Sequence, residues 1–238
     1  MQLGGGCGSG TLFTAAGGNP RMILVLVFFI AGSFLGSLHL PFWLALPGIN
    51  PVVIYKHAGI IGGWLVQLFL IATVLYGIVK YESSAESTPA KKAQKWVSVG
   101  NTAGFTLWGG KIAQALGFPL EGYPYWQWEN NSYALQMPLI SDVTSVLNIG
   151  IIIGATTAAL VIGNFGKNLT AVGLKSALAA VIGGLVMGYG ARLSFGCNIG
   201  AFFSGTVSGS IHGWVWFLAA FAGTFPGIKL RAAFGLKL

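Results

Sequence analysis

The 238 residues are 54% hydrophobic and only 8% charged, with a mean hydropathy of +0.74. A soluble domain carries roughly 25% charged residues, so the composition excludes a water-soluble globular fold and predicts an all-α integral membrane protein in a lipid bilayer. A net charge of +8 would suggest nucleic acid in a soluble protein, but no basic helix or RNA-binding aromatic motif accompanies it, and nucleic acid is not expected as a partner.

Two cysteines without Cys-x-x-Cys spacing give neither a disulfide framework nor a zinc site, and three scattered histidines add no metal cluster, so no metal or other cofactor is expected. The chain opens on Gly5-Gly6-Cys7-Gly8-Ser9-Gly10-Thr11-Leu12-Phe13, uncharged and without signal-peptide features. Arg21 precedes an apolar run, Met22 to Leu38, just long enough to span. Residues 39–57, with Pro41, Phe42, Trp43, Pro47 and Pro51, read as an interfacial connection on the outer side. Ala58 to Val79 is the clearest span, and its Gly59-x-x-x-Gly63 spacing predicts close helix approach.

Lys80, Lys91, Lys92 and Lys95 follow, and excess Lys and Arg belongs to cytoplasmic loops. Residues 81–97 are therefore expected to be a cytoplasmic linker between a first half (1–80) and a second half (98–238) of one transmembrane domain. Residues 97–118, less apolar and containing Lys111, predict an amphipathic or partly re-entrant helix. From Glu121 to Met137 the concentration of Tyr and Trp predicts the headgroup layer. Leu139 to Gly163 is a further span, and Ser141-Asp142 at its start reads as a helix cap in preference to a carboxylate on a transport path. Lys167 and Lys175 mark an inner turn, and an apolar helix from Ser176 to Gly190 leads to Phe195-Gly196-Cys197-Asn198-Ile199-Gly200-Ala201-Phe202-Phe203-Ser204-Gly205. His212 starts the last span, which ends inside at Lys229, Arg231 and Lys237.

This second cysteine stretch echoes the first. Gly-Cys, Gly three residues on and Phe three further recur at an offset of 190 (197 minus 7). Beyond them Ala31-Gly32-Ser33-Phe34-Leu35-Gly36 aligns with Ala222-Gly223-Thr224-Phe225-Pro226-Gly227 at an offset of 191 (222 minus 31), so one residue has slipped in between. Self-similarity of this kind marks copies of one element. By charge placement Met22–Leu38 runs from inside to outside and Gly213–Ile228 the reverse, which makes the copies inverted and sets Cys7 opposite Cys197 near the midplane. The first copy lacks the leading helix that precedes Cys197. Either the reading frame is truncated, or another chain supplies the missing wall.

Glycine-rich backbone inside a membrane is tolerated where it is buried or lines a polar path. Short helices beginning after each cysteine point free N–H groups and a positive dipole end at the path, which suits an anion. The substrate path is therefore assigned to Cys7 and Cys197 with Gly6, Gly8, Ser9, Gly10, Gly196, Asn198 and Gly200, and Thr11 is a further donor. A thiol is a soft, weak donor suited to a sulfur-bearing anion, donating S–H rather than attacking. One Gly-Cys loop alone reads as close packing, as Gly184-x-x-x-Gly188 does; repetition at both positions favours function. Arg192, five residues before Cys197, serves either anion steering or interfacial anchoring.

Residues 4–12, Leu107-Trp108-Gly109-Gly110-Lys111, Asp142-Val143-Thr144-Ser145-Val146, the Cys197 stretch and His212-Gly213-Trp214 together resemble the YeeE/YedE family of bacterial inner-membrane proteins. The resemblance implies an all-helical, inverted-repeat thiosulfate transporter with re-entrant helices, in which Cys7 and Cys197 relay the ion by S–H contacts. It also implies a small TusA-like sulfur-carrier protein as cytoplasmic partner. Related members are associated with selenium metabolism, so a selenium compound is the alternative substrate. The family pattern has another path cysteine that would lie before Met1, and a helix that linker 81–97 lacks. A transporter rather than an enzyme is expected; the competing readings are a membrane sulfurtransferase, which would need a thiolate-stabilising base, and a scaffold for the sulfur carrier.

Overall fold

The computed structural model describes residues 1–47, 52–82, 102–166 and 172–236. The expected linker lies outside the described residues except for Tyr81 and Glu82, as do Lys167 and Lys237. Five helices are long and apolar enough to cross a membrane. Together with the helical remainder they make this an all-α, multi-pass membrane protein.

Helix α1 (Gly8–Ala16) has nine residues, about 13 Å at 1.5 Å per residue and so less than half of a ~30 Å hydrocarbon core. It turns at Gly17 and Gly18 into α2 (Pro20–Leu44), whose first turn is capped by Asn19 accepting from Met22 N–H at 3.2 Å. Helix α2 does not stop at Leu38 as the proline content predicts; it runs through Pro41 to Leu44. In lipid the backbone has no water to turn to, so a helix keeps its remaining internal bonds across a proline.

Helix α8 (Leu174–Leu193) packs along α2. Gly184 meets Val25 and Phe29, Gly188 meets Phe29 and Ser33, Gly32 meets Leu185, and Gly36 meets Tyr189 and Arg192. Residue numbers rise together, so the two helices are parallel, and two small-x-x-x-small pairs face each other. Without a hydrophobic drive in lipid, this close van der Waals approach is the packing energy. Phe29 also meets Phe105 edge-on at 5.3 Å, and a core of Leu12, Val25, Phe29, Phe105, Ala180 and Met187 forms around the contact.

Helix α4 (Thr102–Ala115), at 14 residues, is too short to span and is buried against α2 at Phe105, Thr106 and Leu107. Lys111 Nζ donates to the carbonyls of Leu135 and Met137 at 2.7 Å each, tying α4 to the segment beyond it. That segment contains α5 (Pro124–Gln127) and α6 (Glu129–Gln136). Only part of it behaves as a headgroup layer. Trp128 and Tyr133 are exposed, but Tyr125 and Trp126 are buried, Trp126 lying over Gly110 and against Phe34. The missing side chain at Gly110 makes room for the indole, so the ring folds inward. Asp142 caps α7 (Val143–Val161), accepting from Ser145 N–H and Thr144 Oγ1 at 2.7 Å each.

Helix α3 (Ile54–Glu82) contains a break at Gly59, where φ is +68°. The Gly59/Gly63 spacing does not join two helices. Gly59 has nothing within 4 Å of its Cβ position, and Gly63 accommodates the ring of Tyr55 from the same element. The start of α3 pairs with the start of α10 (Ile211–Ala233): Ile54 N–H donates to Gly209 O at 2.8 Å and Ile211 N–H to Val52 O at 3.2 Å. The two helices begin at the same end and finish with Lys80 and Arg231 respectively.

Candidate functional site

Each cysteine stands at the head of a helical hairpin. Before Cys7 comes Gly5 with φ +82°; before Cys197, at the matching position, comes Phe195 with φ +55°. Each cysteine is the N-cap, with φ −91° and ψ 175° at Cys7 and φ −91° and ψ −168° at Cys197. Each carbonyl accepts at 2.8 Å from the N–H four residues on, Thr11 and Ala201. The intervening Gly6 and Gly196 lie over that first turn, the second more tightly: a Cβ on Gly196 would fall 2.8 Å from Ala201 N, one on Gly6 3.6 Å from Thr11 N.

The arms then differ in one respect. From Cys7 nine α-helical residues lead to Gly17 (φ −73°, ψ 3°). From Cys197 six π-helical residues, Asn198–Phe203, continue into four α-helical ones, α9 (Ser204–Val207), ending at Ser208 (φ −75°, ψ 1°). A π-helical stretch holds an extra residue relative to an α-helix of the same length. It accounts physically for the slip from an offset of 190 to 191. After the slip the corners match again: Gly18 and Gly209 have φ +87° and +70°, and Asn19 and Ser210 cap α2 and α10.

The first corner lies beside the end of α7, with Gly166 N–H donating to Gly17 O at 3.4 Å and Thr156 Oγ1 to Ala16 O at 2.9 Å. The second lies beside the start of α3 and near the end of α8, where Ser194 O is 3.2 Å from His212 Nε2. Because α2 and α8 are parallel, the corners stand at opposite ends of the bundle.

Cys7 is half-buried; its Sγ accepts from Gly10 N–H at 3.5 Å and lies 3.8 Å from Ser9 Oγ. Gly8, Ser9 and Gly10 are buried around it. The Thr11 side chain is fully buried, with no partner for Oγ1 among the described residues. Cys197 and Gly196 are buried, and Asn198 Oδ1 is a second orphaned acceptor next to the thiol. Gly200 lies in the π-helical turn. Such groups cost free energy in an apolar interior unless a ligand or water meets them. The two cysteines are on separate hairpins, α1 packing on α2 and α7, the Cys197 arm on α10.

Arg192 points away from the Cys197 loop: its guanidinium stands 4.6 Å from the centre of the Tyr125 ring. Burial pushes the Tyr125 phenol up, with the Arg192 charge opposing. A cavity of about 310 Å³ lies at the far end of α1, bounded by Thr14, Asn19, Ala155, Ala158 and Asn164. Sequence reasoning missed Gln67 and Thr206, both with buried polar atoms unpartnered among the described residues. The available signal was a lone amide within the apolar run of α3.

A family model described as "Sulphur transport" matches residues 1–226. Two curated relatives share the name "Probable transporter YedE". That of Escherichia coli (strain K12) is 27% identical over 180 residues, covering 74% of this chain and 40% of the relative. That of Salmonella typhimurium is 32% identical over 128 residues, covering 54% of this chain and 31% of the relative. The chain thus spans about a third to two fifths of their length. No solved structure matches it.

Proposed function

The chain belongs to the Sulphur transport family, the YeeE/YedE proteins, and from that premise we propose that it carries thiosulfate or a related sulfur oxyanion inward across a bacterial inner membrane. The observation that carries this reading is the matched pair of cysteine-capped hairpins with corners at opposite ends of the bundle. Inverted hairpins of this kind put two helix N-termini at a shared depth, where N–H groups and dipoles favour an anion. The thiols then act as soft S–H donors that the ion passes between. Thr11 and Asn198 supply the polar lining that an apolar packing role for the cysteines leaves unexplained. The ion leaves through the cavity at the foot of α1, beside the inner turn, where a TusA-like sulfur carrier would collect it.

The test is uptake of labelled thiosulfate by cells lacking other routes. Cys7→Ala and Cys197→Ala should each reduce uptake at least tenfold while remaining in the membrane. Wild-type uptake by both would overturn the reading. A selenium oxyanion competes in the same assay, and the ratio of half-inhibitory concentrations ranks the two substrates.

A further inference from the structure

Helix α3 faces outward along most of its length. Among its described side chains only Gly63 and Gln67, one turn apart, are buried, and they mark the side that meets α10. Gln67 is 4% exposed. Its Oε1 accepts from Trp214 Nε1 at 3.0 Å. An indole N–H can only donate, so the amide is held with its oxygen toward Trp214 and cannot flip. That fixes Nε2, with two N–H donors, on the other side, buried and without a partner among the described residues.

The surroundings repeat the pattern. Thr206 Oγ1, on α9 where Gly213 of α10 crosses it, is also buried and unpartnered. The Trp214 ring meets Phe202 at 6.4 Å. Gln67 therefore stands at the level of residues 202–206, between the corner at 208–210 and Cys197. A glutamine in lipid contact costs free energy, and one paired on a single side keeps part of that cost.

We infer that Gln67 is a substrate-binding residue: its Nε2 donates to a small oxyanion on the leg between the 208–210 corner and Cys197, with Trp214 as the positioning residue that holds the amide in that orientation. This rests on the proposed transport of a sulfur oxyanion. It adds a neutral hydrogen-bond donor to a path otherwise described by cysteines and backbone amides. A neutral donor binds an anion without trapping it, as passage requires.

The experiment is calorimetric titration of the purified full chain in detergent with sodium thiosulfate, alongside its thermal unfolding. Gln67→Leu should leave the unfolding midpoint unchanged or raised, because it removes a half-satisfied amide, and should weaken binding about tenfold, the share of one hydrogen bond to a charged group. Gln67→Glu should weaken it further by charge repulsion, and Trp214→Phe should weaken it less than Gln67→Leu. Equal affinity in wild type and Gln67→Leu, or no saturable binding by wild type, overturns the assignment. If Gln67→Leu does not fold, Trp214→Phe and Gln67→Glu decide it by the same ordering. Undiminished uptake by both cysteine variants would sink the thiol relay and still leave a Gln67-dependent affinity measurable, so the two failures are distinct.

Discussion

Gly188 stands directly against the backbone of Phe29: a Cβ there would run into the Phe29 carbonyl and lie 2.8 Å from Ser33 N. Both contacts are backbone, so neither can swing aside. Gly188→Ala must separate α2 from α8 and should cost roughly 1–3 kcal/mol, the usual penalty of overpacking. Gly154, on α7, has nothing within 4 Å of its Cβ position. There Ala restores helix propensity, worth up to about 1 kcal/mol. Thermal unfolding in detergent should move in opposite directions for the two variants, and equal shifts would contradict the packing described.

Gly6 and Gly196 are equivalent in position but not in room. A Cβ on Gly196 meets Ala201 N at 2.8 Å and Gly200 Cα at 3.0 Å, while the nearest neighbour at Gly6 is Thr11 Oγ1 at 3.5 Å. Gly196→Ala should therefore displace the Cys197 cap and lower thiosulfate uptake at least tenfold, as expected when positioning is lost. Gly6→Ala, in ordinary contact, should stay within about twofold of wild type. Similar losses for both would mean that the tighter turn at Cys197 has no bearing on transport.

The spans were legible because lipid imposes long apolar runs, and α7, α8 and α10 fall where those runs lie. Pairing was less legible. The Gly184/Gly188 spacing marks a real interface and the identical Gly59/Gly63 spacing does not, since spacing carries no information on which neighbour arrives. Pro41 and the Tyr125-Trp126 pair misled for related reasons: each is a surface or breaker signal in water that tertiary packing overrides in a bundle. The one-residue slip between the copies was visible in the letters. That a π-helix absorbs it was not, because π-helices are decided by packing along the turn rather than by residue type.

Arg192 and Tyr125 should be energetically coupled. With the guanidinium over the ring in a buried setting, a double-mutant cycle of Arg192→Met and Tyr125→Leu should give a coupling of about 0.5–2 kcal/mol in thermal or denaturant unfolding. Arg192→Lys should lose part of it, because the planar guanidinium stacks and an ammonium does not. An arginine that steers anions would give a different result: no coupling, and a half-saturation of uptake that rises most at low ionic strength.

Asp142 separates capping from transport chemistry. Its carboxylate accepts from Ser145 N–H and from Thr144 Oγ1, and an asparagine side chain supplies the same acceptor without charge. Asp142→Asn should therefore keep α7 intact, and uptake should remain close to wild type. Asp142→Ala removes the acceptor and should cost about 1 kcal/mol, as loss of an N-cap does. Measuring both quantities on both variants decides the role, because a carboxylate on the ion path would make Asn as damaging to uptake as Ala while leaving Asn fully stable. For a passing anion, moreover, removing a nearby negative charge would accelerate uptake, whereas a cap predicts no change.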